Sequence, residues 1–109
     1  MSQNQLKTIA TALTAIEGLS VSHYWRDMRD APFCVWQEDG HRTFDADNHV
    51  AEKGWTGYVD YYTKTEFDEN IDLIESALDG IENLTYELNS ADYEEETNLI
   101  HYSWEWEMF

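Results

Sequence analysis

The chain has 109 residues, with 23 Asp and Glu against six Lys and Arg and a formal net charge of -17. That balance excludes ordinary binding to DNA, RNA or anionic lipid, where affinity rests on Lys and Arg neutralising phosphates. The length supports one hydrophobic core and a single domain, and an aromatic content of 15%, five Trp included, excludes a disordered acidic tail.

Residues 3–17 place Leu6, Ile9, Ala10, Leu13 and Ile16 at helical spacing, and Gly18 supplies a stop, so a first amphipathic helix is expected there. Residues 19–25 alternate Val21, His23 and Trp25 against Ser22 and Tyr24, which predicts a short strand. Residues 26–32 hold two Arg/Asp pairs and the only Pro, and read as a loop. A second strand is predicted over 33–38, with Phe33, Val35 and Gln37 on one face and Cys34, Trp36 and Glu38 on the other, ended by the turn signal Asp39-Gly40. Residues 41–53 show no period and many turn formers, and are expected to form a long loop.

From Trp55 to Tyr62 nearly every residue is aromatic, β-branched or Gly, with Trp55, Gly57, Val59 and Tyr61 on one face and Thr56, Tyr58, Asp60 and Tyr62 on the other. This is a strand pattern. Thr65 and Asp68 then make a capping-box signal, and Phe67, Ile71, Ile74, Leu78 and Ile81 form one apolar stripe, predicting a helix over about 66–79 that Gly80 closes by taking a positive φ. A short fourth strand is expected over 84–88, followed by an acidic connection over 89–98. The last strand, 99–108, has Ile100, Tyr102, Trp104, Trp106 and Met108 on one face and His101, Ser103, Glu105 and Glu107 on the other. The order α-β-β-β-α-β-β has too few helices to cover both faces of a sheet. An α+β fold is expected, with two helices packed on one face of a largely antiparallel sheet. The opposite face would be solvated, polar or covered by a neighbouring subunit.

Apolar runs are short and broken by charge, so neither a secretory signal nor a membrane span is expected, and the protein is expected inside a cell. Cys34, the lone cysteine, has no internal disulfide partner, and with no His beside it in sequence it reads as a small buried residue. His23, His41, His49 and His101 show no ligand spacing. Asp45-x-Asp47-x-His49 opens like a calcium loop, but Val50 and Thr56 stand where that loop requires Gly and Glu. No nucleotide, metal or hydrolase motif is present, so no enzymatic activity and no cofactor are expected.

Five Trp and seven Tyr exceed what a core of this size needs, and such residues favour interfaces. Trp36, Tyr58, Tyr62, Trp104 and Trp106 are therefore candidate partner or oligomer contacts. The charge admits two readings, a solvated surface or one that repels or imitates nucleic acid.

The helix ending Leu13-Thr14-Ala15-Ile16-Glu17-Gly18-Leu19 is followed by the Trp25 strand with its Arg/Asp loop. Gly57-Tyr58-Val59-Asp60-Tyr61-Tyr62-Thr63-Lys64 then leads into a helix closing at Leu78, and the chain ends with Glu94-Glu95-Glu96-Thr97-Asn98-Leu99-Ile100-His101-Tyr102-Ser103-Trp104-Glu105-Trp106. In this order the sequence resembles the tail completion and head-to-tail joining proteins of long-tailed bacteriophages and prophages, the group that includes tail terminators. The resemblance implies a non-enzymatic virion subunit, assembled in the bacterial cytoplasm into a homo-oligomeric ring, commonly a hexamer, that meets the tail tube and the head connector. It also implies an acidic ring lumen that repels passing DNA, with Asp45, Asp47, Asp92, Glu94, Glu95 and Glu96 as the candidate lumen-facing carboxylates. The alternative is an acidic DNA mimic of the anti-restriction type, which should carry its acids at a regular repeat along an elongated surface.

Overall fold

A computed structural model describes residues 3–25, 30–44 and 52–109. The observed order is a 3-10 turn (Gln3–Leu6), α1 (Lys7–Thr14), β1 (Ser20–His23), β2 (Phe33–Phe44), β3 (Glu52–Thr63), α2 (Glu69–Asp79), β4 (Leu84–Glu94) and β5 (Leu99–Met108). The fold is α+β, with the expected element order. The five strands form one sheet in the spatial order β1-β2-β3-β5-β4. Only the β1/β2 pair is parallel; the other three pairs are antiparallel.

Both helices pack on the same side of the sheet. Ile9 and Leu13 of α1 and Ile74 and Leu78 of α2 share one core with Cys34 and Trp36 (β2), Val59 and Tyr61 (β3), and Trp104, Trp106 and Met108 (β5). Period-two alternation carries every one of these strand residues to the helix side. Gly57 faces Trp106 across the β3/β5 pair, and its missing side chain leaves room for the indole in that layer. The Trp104 indole N–H donates to Glu75 of α2 at 2.8 Å, tying helix to sheet through a wholly buried ring. Burial pushes the Cys34 thiol well above its usual range, which keeps it protonated and unreactive.

Several boundaries differ from expectation. Asp39-Gly40 does not turn the chain: the β2/β3 register shifts between Glu38 and Gly40, which is a bulge, and pairing continues to Phe44 and Glu52. What remains of the expected 41–53 loop is 45–51, outside the described residues. β4 likewise runs past Leu88, through a second register shift between Leu88 and Ser90, as far as Glu94. The acidic connection shrinks to residues 95–98, where Asn98 takes the left-handed conformation at φ 57°. β1 stops at His23 because Tyr24 turns out of the strand at φ 78°.

The α2 boundary moves by three residues at its start. Asp68 is the N-cap: its side chain accepts from the Asn70 N–H at 2.9 Å, and its other oxygen accepts from the Tyr61 and Thr63 hydroxyls, each at 2.6 Å. Burial works against the charged form of Asp68, but these hydrogen bonds outweigh it and hold the carboxyl below its ordinary range. Burial, then the bond to Asp68, pushes the Tyr61 hydroxyl up to about 12. Phe67 therefore lies ahead of the helix, at φ 55° and 97% exposed, and does not belong to the apolar stripe. Gly80 ends the helix at φ -80°, and the left-handed residue is Asn83, three positions later.

Candidate interaction surface

The sheet face opposite the helices is left uncovered by α1 and α2. Its residues follow from strand alternation: Phe33 and Val35 on β2, Tyr58, Asp60 and Tyr62 on β3, and Leu99, His101, Ser103, Glu105 and Glu107 on β5. One end is aromatic. Phe33 stacks on Tyr62 with ring centroids 4.8 Å apart, and Tyr62 stacks on His101 at 4.2 Å, so three adjacent strands contribute one continuous pile of rings. Phe33 is itself buried, with Val35 and Leu99, in a small second cluster against which Tyr62 packs.

His101 is gripped from both sides. Its Nε2 lies 2.8 Å from Asp60 and its Nδ1 3.4 Å from Glu94. The hydrogen bond to Asp60 raises its pKa; desolvation opposes this, and the charges of Asp60 and Glu94 add to the rise. Because both nitrogens face carboxylates, the cation is the form that this pocket fits, and Tyr62 adds a ring face against it.

The other end is acidic. Glu87 of β4 lies directly opposite Glu105 of β5, and Thr85 opposite Glu107. The Tyr58 hydroxyl reaches Glu105 at 3.5 Å, and the Glu105 charge, then desolvation, raises its pKa. Like charges placed directly across an antiparallel pair destabilise it, so this end of the face carries a local electrostatic cost.

A second aromatic cluster stands where β1 ends. His23 is sandwiched between Tyr24 at 4.0 Å and Trp36 at 3.9 Å, and its Nε2 lies 2.6 Å from Glu38. Burial disfavours the charged form of Glu38, but hydrogen bonds from Tyr24 and His23 overcome it and keep its pKa low. Next to this cluster Trp25 is 71% exposed.

The expected interface residues divide accordingly. Trp36, Trp104 and Trp106 are corrected to core residues, because they point to the helix side and are sealed by α1 and α2. Tyr58 and Tyr62 stand on the open face. Asp92 and Glu94 belong to β4 and not to a loop, whereas Glu95 and Glu96 sit in the exposed β4–β5 turn. Asp45 and Asp47 lie outside the described residues. The signal missed in the sequence was register: nothing local says that His101 meets Asp60, 41 positions away. Likewise, alternation and helical spacing alone place the exposed Trp25 in a strand and the exposed Phe67 in a helix stripe.

No family model and no curated protein matches the sequence. Among the described residues no helix is long and apolar enough to cross a membrane.

Proposed function

We propose that this protein is a structural subunit of a long-tailed phage or prophage virion, acting in tail completion or head-to-tail joining as one member of a ring. The observation that carries this reading is the one-sided layer: two helices cover one face of the sheet, and the other carries the Phe33–Tyr62–His101 stack and the facing pair Glu87 and Glu105. A monomer gains nothing from facing Glu87 with Glu105 or from leaving Trp25 and Phe67 exposed to water; a subunit that meets neighbours and a DNA passage has a use for both. The β2/β3 hairpin adds to this. Its paired residues extend to Phe44 and Glu52, beyond Trp55, where the pairing of β3 to β5 begins. A two-stranded arm is marginal alone, and contact with an adjacent subunit would support it.

In this role the acidic surface keeps DNA from adhering, provided that carboxylates lie within about 8–10 Å of its path at physiological salt. The test is genetic. Deleting the gene from the phage or inducible prophage that encodes it should leave filled heads and separate tails, restored to joined particles by the gene in trans. Normal yields of joined, infectious particles from the deletion would overturn the proposal.

A further inference from the structure

β4 is an edge strand with two unlike rows of side chains. It pairs with β5 on one side and, among the described residues, has no strand on the other, so the backbone groups that point outward along Leu84–Glu94 are open to a further strand. Counted across the bulge as β5 meets them, Glu87, Asp92 and Glu94 stand on the open face, opposite Glu105, His101 and Leu99. Leu88 and Tyr93 stand on the helix side, opposite Trp104 and Ile100. The helices do not cover them: Leu88 is 46% exposed and Tyr93 59%. Acids therefore line one face of this edge, and bare apolar groups the other.

The charge of the neighbourhood narrows what can lie there. No Lys or Arg follows Lys64 in the sequence, whereas Asp and Glu recur through α2, β4 and β5 as far as Glu107. His101 is the only cationic group on β4 and β5, and Asp60 and Glu94 already enclose it. Acids on a sheet edge commonly guard against pairing with like strands, and here they exclude a second copy. β4 laid against β4 sets one acidic row beside another, and β1, the sheet's other edge, brings no Lys or Arg over Ser20–His23. Guarding does not account for the bare Leu88 and Tyr93, which a strand with apolar residues on that side would cover.

We infer that the free edge of β4 takes an extended segment of another protein in which Lys or Arg alternates with apolar residues. Its main chain adds a further strand to the sheet, its basic side chains lie across from Glu87 and Asp92, and its apolar ones cover Leu88 and Tyr93. Main-chain pairing supplies the affinity, and the two rows fix register and face. The contact uses neither the β2/β3 arm nor the stacked rings, and it does not depend on the virion role proposed above.

The probe is a short end-blocked peptide of alternating Lys and Val, titrated into the full-length protein at physiological salt. Two controls of the same length carry Lys in one block and Val in another, or alternate Glu with Val. The alternating Lys peptide should bind roughly tenfold tighter than the block peptide and should slow amide hydrogen exchange in β4. Glu87→Lys, which relieves a repulsive pair and so keeps the fold, should weaken that binding by roughly threefold to tenfold. Leu88→Thr, at a half-exposed position, should weaken it by a similar factor. Equal binding of the alternating and block peptides would mean that charge alone attracts them, and would overturn the strand pairing. So would slowed exchange outside β4 only, binding of the Glu and Val peptide, no binding of any peptide, or two variants that bind like wild type. Slowed β4 exchange in the protein alone at high concentration would make a second copy the occupant and overturn the inference as well. The virion proposal stands or falls separately, on joined particles.

Discussion

Trp106 occupies the space that a side chain at position 57 would need. A Cβ built on Gly57 would fall 2.4 Å from the Trp106 ring and 2.1 Å from the carbonyl oxygen of Gln37. Neither can withdraw, since one is a fully buried indole and the other is backbone in the β2/β3 ladder. Gly57→Ala should therefore destabilise the protein by about 3 kcal/mol, at the upper end for overpacking a core. Urea unfolding followed by Trp fluorescence measures it; a variant within about 0.5 kcal/mol of wild type would mean that the indole does not sit on Gly57.

Asp68 joins the last core strand turn to the start of α2. Asp68→Ala removes the cap on the Asn70 N–H and leaves the Tyr61 and Thr63 hydroxyls without their acceptor. The expected loss is about 2–4 kcal/mol. Because the folded carboxyl is held below its ordinary value, its contribution is present above about pH 4 and is lost as pH falls through the lowered value. Acid unfolding of Asp68→Asn should lack that component of the pH dependence.

His101 works in the opposite direction. Its pKa is raised in the folded protein, so its stabilising contribution is complete below about pH 6.5 and disappears as pH climbs through the raised value. Relative to His101→Gln, wild type should lose melting temperature as pH rises above about 6.5. Parallel profiles for the two proteins would show that Asp60 and Glu94 do not hold the imidazolium.

Glu87 and Glu105 face each other across β4 and β5. Glu87→Lys should stabilise the isolated subunit by about 0.2–1 kcal/mol by turning a repulsive pair into an attractive one. If the acidic face serves DNA passage or a partner, the same change should lower the yield of joined particles. A stabilised subunit that assembles infectious particles at full yield would count against that use.

Much of this fold is legible wherever alternation or helical spacing is strict. β5 reads without error because Trp104, Trp106 and Met108, buried against the helices, alternate with the more exposed Glu105 and Glu107. β4 reads poorly beyond Leu88 because an edge strand exposed on both faces has no burial to impose a pattern, and Asn89-Ser90, at its bulge, imitates a turn. Asp39-Gly40 misleads in the same way, since bulges and hairpin turns favour the same residues. Phe67 obeys helical spacing with Ile71 and Ile74, and only the capping carboxylate of Asp68 shows that the helix begins after it. The three buried Trp could not be told from interface Trp by composition. Gly57, placed to accept Trp106, was the available clue.

If this one-sided layer acts, as proposed, through contacts with its own copies and with a virion neck, the purified protein should assemble on isolated tail tubes. Native mass measurement of the purified protein, alone and with isolated tail tubes, tests it most directly. A discrete mass step at the end of each tube, equal to a closed set of copies, is the expected result. A protein that remains a free monomer in both samples, with the tubes unchanged in mass, would contradict it.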